Sequence, residues 1–323
     1  MRSDVMEFFK LNRPFNHVGY FETDHQKELL EEIKSEIQQG GLVVLSGIVG
    51  CGKTTLLQKL QADLDQTKNI LVSRSLAVDK DRVSLTTLMT ALFYDLATEK
   101  DFKIPTQAEK RERQLVTLIR KHRKLVTLFV DEAHDLHHQT LVKLKRLIEL
   151  VRQNGGALAI VLAGHPKLKN DLRRPSLEEI GARASLFTLQ GIQGHQTAFI
   201  QWLLKECSQA KTAATDLLTE AAINLLGDRL TTPLQIEQYL TVAFEEAYKA
   251  GQKPVEPEMI NIILSRGLDD LEPKLIRHGY NDKVIANLLN VRPGVVRSFM
   301  HGQLSPSRTQ DLREQMLKFG IPV

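Results

Sequence analysis

The chain has 323 residues, enough for about two domains and a substantial hydrophobic core. Its 42% hydrophobic and 25% charged residues are typical of a globular protein and exclude a disordered or fibrous chain. A formal net charge of +4 permits an anionic partner without requiring one. The two cysteines, Cys51 and Cys207, cannot form a disulfide framework, and no Cys/His cluster has zinc spacing.

The N-terminal ten residues include acidic side chains and lack the apolar core of a signal peptide. A membrane-spanning helix needs about 20 apolar residues. The longest apolar run, residues 157–163, has only the length of a strand. We therefore expect a cytoplasmic protein without a membrane partner.

The first part of the chain predicts an amphipathic helix at residues 24–38, preceded by an aromatic segment at residues 8–21. The aromatic side chains of this segment, Phe15 among them, could stack on an adenine base. They could equally fill the N-terminal part of the core, and the sequence leaves both interpretations open.

An apolar run at residues 42–45 predicts a strand that leads into Gly-Ile-Val-Gly-Cys-Gly-Lys-Thr at residues 47–54, followed by a helical segment. The eight residues fit the pattern G-x-x-x-x-G-K-[ST] at every fixed position. In such loops the backbone N–H groups and the helix N-terminus face phosphate oxygens. Lys53 is expected to reach the β- and γ-phosphates of ATP, and the Thr54 hydroxyl to bind Mg²⁺. The predicted nucleotide-binding residues are Gly47, Val49, Gly50, Cys51, Gly52, Lys53, Thr54 and Thr55.

The next segments predict a strand at residues 69–73, a loop that contains Lys80 and Arg82, and a helix at residues 84–98. Residues 107–124 predict a second helix with a run of basic side chains. We interpret this charge run as a solvated helix face.

A strand predicted at residues 125–130 ends in the carboxylates Asp131 and Glu132, followed by Ala133 and His134. Asp131 is expected to hold the water shell of Mg²⁺. Glu132 is expected to orient and deprotonate the attacking water, because hydrolysis needs a base in line with the γ-phosphate. The pair therefore predicts slow hydrolysis of a nucleoside triphosphate.

A helix predicted at residues 141–153 precedes a strand at residues 157–163, which ends at Gly164 and His165. His165 could sense the γ-phosphate or could be an ordinary turn histidine, and both interpretations stay open. A fifth strand is predicted at residues 185–189. Alternation of short apolar strands with helices predicts an α/β fold whose parallel sheet is covered on both faces.

From residue 195 onward the periodicity is helical, with helices predicted at residues 197–208, 215–226, 233–250 and 256–265. These helices are interpreted as a lid. The expected domains are a nucleotide-binding α/β domain at residues 1–192, the helical lid at residues 193–252 and a C-terminal domain at residues 266–323.

The C-terminal segment predicts two short helices, residues 283–289 and 294–301, joined by a tight turn and followed by a third helix. This arrangement is typical of helix-turn-helix DNA-binding domains. Arg292 and Arg297 would then lie on or beside the second helix, where they could contact phosphates or base edges. A three-helix protein-docking module fits the same pattern.

With these residues in view, the chain resembles AAA+ ATPases of the ExeA-like group, which includes the transposition target-selection ATPases TnsC, TniB, IstB and MuB. The resemblance covers roughly residues 8–250. It rests on Phe-Lys-Leu-Asn-Arg-Pro-Phe at residues 9–15, the phosphate loop, the segment at residues 128–134, and Leu-Ala-Gly-His-Pro-Lys-Leu at residues 162–168. It implies a three-layer P-loop NTPase domain with a helical lid, and an ATP-dependent homo-oligomer, a ring or filament, with nucleotide at subunit interfaces.

The resemblance also implies roles for individual residues. Lys53 and Thr54 match the Walker A positions, and Asp131 and Glu132 match the Walker B pair. His165 takes the sensor-one position, where the family commonly has glutamine.

The resemblance further implies an arginine finger that completes a neighbouring subunit's site. Arg183 matches it best, with Arg173 and Arg174 as alternatives. Relatives often have Pro-Arg before the last lid helix as sensor two, whereas this chain has Thr-Pro-Leu-Gln at residues 232–235. This departure puts the usual closure of the lid on the γ-phosphate in doubt, and we expect hydrolysis to be slow or stimulated by a partner.

In the transposition members, DNA threads the oligomer, and Lys80 and Arg82 correspond by position to its contacts. We therefore expect an ATP- and Mg²⁺-dependent ATPase that oligomerises on double-stranded DNA and recruits or activates a transposase. The alternatives are a STAND-type or initiator-like ATP switch and an ExeA-type secretion ATPase.

Overall fold

The computed structural model describes residues 1–75, 83–97, 103–210, 212–264 and 271–323 of the chain. The chain forms two compact units. An α/β unit comprises Lys27–Gly47 and Lys53–Leu189, and a helical unit comprises Met1–Gln26, Ile48–Gly52 and Gln190–Val323. The domain boundaries expected at residues 192, 252 and 266 stay a prediction.

The α/β unit is built on a five-stranded sheet in which every neighbouring pair of strands is parallel. The strands are β1 (Gly41–Ser46), β2 (Ile70–Arg74), β3 (Leu125–Val130), β4 (Ala157–Gly164) and β5 (Ala184–Thr188), in the spatial order β2-β3-β4-β1-β5. Each predicted strand is present, with its ends displaced by at most one residue. The apolar runs therefore predicted the strands well.

Helices cover both faces of this sheet. The α/β unit contains α2 (Asp24–Gln39, whose first residues belong to the helical unit), α3 (Lys53–Asp65), α4 (Leu85–Leu96), α5 (Ala108–His122), α6 (His138–Gln153), α7 (Pro166–Leu172) and α8 (Glu178–Gly181). Leu42 and Val44 of β1 belong to the same buried cluster as side chains of α4, α5 and α6. Val43 and Leu45 point to the opposite face and are buried as well. Burial on both faces confirms the predicted three-layer α/β fold.

The helical unit contains two separate hydrophobic clusters. Its helices are α1 (Ser3–Phe9), α9 (Gln196–Cys207), α10 (Glu220–Arg229), α11 (Pro233–Lys249), α12 (Pro257–Leu264), α13 (Leu271–Arg277), α14 (Asp282–Leu289), α15 (Pro293–Met300) and α16 (Pro306–Lys318). The first cluster joins α1 to α9, α10, α11 and α12, with Phe9 and Phe244 packed at its centre. The second cluster joins α13, α14, α15 and α16 around Leu275, Tyr280 and Met316.

Local capping signals explain where several of these helices begin. Thr232 and Gln235 form a capping box at the start of α11, and Pro233 occupies its first turn. The Asn281 side chain accepts a hydrogen bond from the Val284 N–H at the start of α14. Asn290, at φ +52°, ends that helix in the left-handed conformation.

Four short helices, α1, α7, α8 and α13, are not predicted by the periodicity, because seven residues or fewer span too few turns to show a pattern. Among the residues that the structure describes, no helix combines the length and apolar character that a bilayer span requires.

Candidate nucleotide site

The two predicted Mg²⁺ ligands meet at the carboxyl edge of the sheet. Thr54 lies in the first turn of α3, and Asp131 directly follows β3. The Thr54 hydroxyl donates a 2.7 Å hydrogen bond to Asp131 Oδ2. The other carboxylate oxygen, Oδ1, accepts the Glu132 N–H at 2.8 Å. A hydroxyl beside a fixed carboxylate is the oxygen donor set that Mg²⁺ prefers, so these residues fit the predicted ion.

Lys53 is a buried cation at the start of α3, with only 6% of its surface exposed. Its ammonium Nζ donates a 2.9 Å hydrogen bond to the Gly47 carbonyl oxygen. A buried ammonium is costly without a partner, and the loop carbonyl supplies one. The lysine head group is therefore held within the phosphate loop.

The middle of the phosphate loop has contacts of its own inside the helical unit. Gly50 has φ +79°, and a Cβ there would lie 2.6 Å from Leu234 Cβ, so both conformation and space require glycine. The Leu234 N–H donates to the Gly50 carbonyl at 3.3 Å. The Val49 N–H donates to the Arg277 carbonyl at 2.9 Å. The Val49 N–H thus already has a main-chain acceptor.

Glu132, the predicted catalytic base, has an unusual backbone conformation. Its φ of +54° lies in the left-handed region, which is uncommon for a residue other than glycine. Such conformations cluster at active sites, where the surrounding structure holds them. Its carboxylate Oε2 lies 3.4 Å from His134 Nδ1 and 3.7 Å from His165 Nε2.

His165 lies directly after β4, at the N-terminal end of α7. Strands β3 and β4 are neighbours in the sheet, so the residues that follow them come together. The rings of His165 and His134 stack with their centroids 3.6 Å apart. Proximity to Glu132 favours a role at the site over that of a turn histidine. Its role as a γ-phosphate sensor stays a prediction.

His134 is the site residue to which the sequence assigns no role. Burial lowers the pKa of His134 more than the nearby carboxylates of Asp135 and Glu132 raise it. Its Nε2 lies 3.5 Å from Asp135 Oδ1. In the sequence, two features could have indicated this role. One is a histidine two residues after the predicted base, and the other is a histidine that directly follows another predicted strand.

A cavity of about 330 Å³ opens beside these residues in the α/β unit. Its lining includes both Mg²⁺ ligands, the predicted base and apolar side chains: Thr54, Ser75, Val83, Val130, Asp131, Glu132, Asp135 and Leu136. The carboxylates of Asp131 and Glu132 therefore face open space rather than packed core.

The predicted arginine finger and its alternatives lie on the α/β unit. Arg183 forms an ion pair with Glu149 of the same chain. Arg174 pairs with Asp171 at 2.9 Å. An arginine that completes a neighbour's site would have to release such a partner, and the role of Arg183, Arg173 or Arg174 stays a prediction.

Phe15 is fully buried and packs edge to face on Phe244 at 5.1 Å between ring centroids. A ring with no exposed surface cannot offer a face to adenine, so the structure favours the core interpretation over adenine stacking. Cys51 is also buried, at 1% exposure. The thiol is therefore inaccessible, and Cys51 contributes to the loop by its small size.

Two of the four predicted DNA contacts, Lys80 and Arg82, lie outside the described residues. Arg292 is exposed at the N-terminal end of α15. Arg297 is exposed too, and its guanidinium pairs with Asp282 at 2.7 Å. The pair lowers the pKa of Asp282 and offsets part of the positive charge of this helix.

Comparisons with known proteins bear on the fold that carries these residues. Residues 33–172 match the family model of the AAA domain. General secretion pathway protein A of Aeromonas hydrophila is 27% identical over 191 residues, which cover 55% of this chain and 33% of that protein. The chain thus spans about a third of the length of this curated relative.

Solved structures are similar over nearly the whole chain. Cdc6p from Pyrobaculum aerophilum has a TM-score of 0.56 at 17% identity, covering 98% of this chain and 84% of that chain. The Aeropyrum pernix ORC1 protein, solved in complex with DNA, has a TM-score of 0.50 at 13% identity, covering 92% and 82%. At such identities the similarity concerns the fold. The domain match over residues 33–172, the parallel sheet and the phosphate loop together show that the chain has a P-loop NTPase fold of the AAA+ type.

Proposed function

We propose that the protein is an ATP-hydrolysing AAA+ switch whose nucleotide state controls its association with double-stranded DNA, in the manner of an initiator ATPase. The observation that supports hydrolysis best is the 2.7 Å hydrogen bond between Thr54 and Asp131 next to Glu132. It places the candidate Mg²⁺ ligands and a candidate base at one edge of the sheet.

Each site residue of the α/β unit would have its own role in ATP hydrolysis. Lys53 would exchange the Gly47 carbonyl for phosphate oxygens of ATP. Thr54 and Asp131 would hold Mg²⁺, which when bound neutralises charge on the β- and γ-phosphates. Glu132 would accept a proton from the water that attacks the γ-phosphorus, while the bond to the ADP oxygen breaks. Burial lowers the pKa of His134, which disfavours a positive charge beside Glu132.

DNA association is supported by the kind of proteins that share the fold. One similar structure is an ORC1 protein in complex with DNA. In this chain, α14 and α15 form a pair of short helices joined by a turn, with Arg292 exposed at the start of α15. Such a pair would contact phosphates first, which gives sequence-tolerant and salt-dependent binding.

The transposition role rests on sequence resemblance alone. The similar structures favour the initiator-like switch over a target selector that recruits a transposase. The same proposal includes a homo-oligomer, either a ring or a filament, in which Arg183 completes a neighbour's site.

A second candidate is an ExeA-type secretion ATPase. The similarity to General secretion pathway protein A, 27% over 191 residues, favours it. This candidate keeps ATP hydrolysis but predicts no dependence of hydrolysis or of assembly on duplex DNA. The two candidates therefore differ in one measurable property.

The base is tested by ATP hydrolysis and by binding of a fluorescent ATP analogue to Glu132→Gln. We expect kcat to fall by about 10²- to 10⁴-fold, because general-base catalysis contributes that much, while nucleotide binding is retained. The matched control is Glu28→Gln, an exposed carboxylate on α2, which should hydrolyse ATP at the parent rate. Parent-rate hydrolysis by Glu132→Gln would exclude this residue as the base.

The DNA switch is tested by fluorescence anisotropy of a labelled duplex with and without a nonhydrolysable ATP analogue. We expect binding that requires the analogue and weakens as salt rises. Binding that ignores the nucleotide, or no binding at all, would leave the secretion-type ATPase as the better candidate.

A further inference from the structure

Three nitrogen and carboxylate donors converge beside the Mg²⁺ ligands: one atom each from Glu132, His134 and His165 lies within 4.8 Å of the other two. Glu132 Oε2 is 3.4 Å from His134 Nδ1 and 3.7 Å from His165 Nε2. Ligand atoms around a tetrahedral Zn²⁺ with bonds of about 2.0–2.1 Å are about 3.4 Å apart. The two distances from Glu132 to the histidine nitrogens are close to this spacing.

The surroundings of His134 are those of a metal ligand. Its side chain is 10% exposed, and among the described residues its buried Nδ1 has no hydrogen-bond partner. Its other nitrogen, Nε2, lies 3.5 Å from Asp135 Oδ1. Metal-binding histidines commonly direct their second nitrogen at a carboxylate, which fixes the tautomer and leaves the first nitrogen free to coordinate. Nδ1 is therefore the nitrogen of His134 that would coordinate an ion.

We propose that Glu132, His134 and His165 form a site for a divalent transition metal, Zn²⁺ in particular, separate from the Mg²⁺ ligands Thr54 and Asp131. Two imidazoles and one carboxylate suit Zn²⁺, whereas Mg²⁺ takes oxygen ligands. Three protein ligands leave a fourth position open for water or a phosphate oxygen.

The consequence for the reaction rests on the proposed function. A Glu132 carboxylate that coordinates Zn²⁺ cannot accept a proton from the attacking water. Occupation of the site would therefore inhibit ATP hydrolysis while leaving Lys53 and the Mg²⁺ ligands able to hold the nucleotide. Zn²⁺ thus acts as an inhibitor that traps the ATP-bound state.

Binding of the ion requires one small rearrangement. The rings of His134 and His165 stack at 25° to one another, and the in-plane lone pairs of stacked rings point side by side rather than at one ion. One imidazole must therefore turn about its Cβ–Cγ bond. This rotation removes one ring-stacking contact and allows a second metal–nitrogen bond to form.

The site is tested by calorimetric titration of the nucleotide-free 323-residue chain with Zn²⁺. The visible absorption of bound Co²⁺ gives a second measurement of the same site. We expect one ion per chain and at least tenfold weaker binding in His165→Gln and in His134→Gln. His138→Gln, an exposed histidine at the start of α6, is the matched control and should bind as tightly as the parent. Far-UV circular dichroism confirms that each variant is folded.

Equal Zn²⁺ affinity of the parent, His165→Gln and His134→Gln would overturn the proposal, as would loss of binding in His138→Gln alone. A second arm measures MgATP hydrolysis with added Zn²⁺, where we expect inhibition of the parent at lower Zn²⁺ concentrations than of His165→Gln. Zn²⁺ bound at the cluster of a chain that hydrolyses no ATP would refute the proposed function and leave the metal site standing. Hydrolysis of ATP by a chain that binds no Zn²⁺ would refute the metal site and leave the proposed function standing.

Discussion

Lys53 is a residue whose environment already resembles that of its predicted role. Its ammonium donates a hydrogen bond to a main-chain oxygen of the phosphate loop, 2.9 Å away. An ammonium held inside the phosphate loop is in position to exchange this partner for a phosphate oxygen. At Asp131, a hydroxyl and an N–H likewise orient the carboxylate.

Replacing Lys53 by alanine should therefore weaken nucleotide binding. A hydrogen bond to a charged group contributes about 1.5–3 kcal/mol, so we expect Kd for ATP to rise by roughly 10- to 150-fold. Equilibrium binding of a fluorescent ATP analogue measures this. Lys68→Ala, an exposed lysine of the same unit, is the control and should bind ATP like the parent. Similar affinities of the two variants would show that Lys53 does not contact phosphate.

Glu237 on α11 is a carboxyl whose surroundings oppose its ionisation. Burial raises the pKa of Glu237 to about 7. The folded state therefore binds a proton between the ordinary glutamate pKa and pH 7 that the unfolded state does not, so stability is lost as pH rises through this interval. Glu237→Gln should remove this pH-dependent loss of stability.

We expect Glu237→Gln to raise the free energy of unfolding at pH 8 by roughly 1 kcal/mol, a figure reduced for the partial exposure of the group, with little change at pH 5. Thermal unfolding between pH 5 and pH 8 measures it. The exposed Glu258 on α12 supplies the control, because Glu258→Gln should leave the pH profile unchanged. Parallel profiles for parent and Glu237→Gln would contradict the prediction.

At the scale of elements, helix α11 has the strongest local start signal of the helical unit. The Thr232 hydroxyl accepts the Gln235 N–H at 3.3 Å, and the Gln235 side chain accepts the Thr232 N–H at 3.2 Å. Thr232 and Gln235 are both buried, so water does not replace either bond if it is lost. Leu234, in the same first turn, donates to the Gly50 carbonyl of the phosphate loop.

Thr232→Ala should lower the free energy of unfolding by about 1–2 kcal/mol, the cost of a lost N-cap. Urea unfolding followed by fluorescence measures it, because the single tryptophan, Trp202, packs against the same hydrophobic cluster as α11. Thr215→Ala replaces an exposed threonine of this unit and should cost almost nothing. If both variants unfold at the same urea concentration, the capping box does not stabilise the helix.

At the scale of the whole molecule, a main-chain hydrogen bond within the helical unit joins the C-terminal helices to Val49 of the phosphate loop. The Val49 N–H donates to the carbonyl of Arg277, the last residue of α13. An N–H that already has an acceptor is not available to a phosphate oxygen. The C-terminal helices have their own hydrophobic cluster, so their removal need not disturb the cluster around Phe244.

A chain that ends at Leu264 should therefore bind ATP more tightly than the full chain. A typical hydrogen bond contributes about 0.5–1.5 kcal/mol, so we expect up to about a tenfold lower Kd. Binding of a fluorescent ATP analogue measures it. Arg277→Ala keeps the accepting carbonyl and should match the parent. Equal affinity of the shortened and full chains would show that this contact does not limit nucleotide binding.

The sequence by itself determined the parts of this protein that depend on short-range chemistry. The phosphate loop needs glycines, a lysine and a threonine at fixed spacing. Strands buried on both faces need continuous apolar runs, which is why all five were predicted almost to the residue. Asp131 and Glu132 could be recognised because they directly follow such a run.

Only the tertiary structure decided which distant residues meet. Strand order places β3 beside β4, which brings His134 and His165 together and turns two separate histidines into a cluster around Glu132. Packing hides Phe15 in the core, and an ion pair engages Arg183. These outcomes depend on contacts between residues far apart in the chain, and a local pattern contains no information about such contacts.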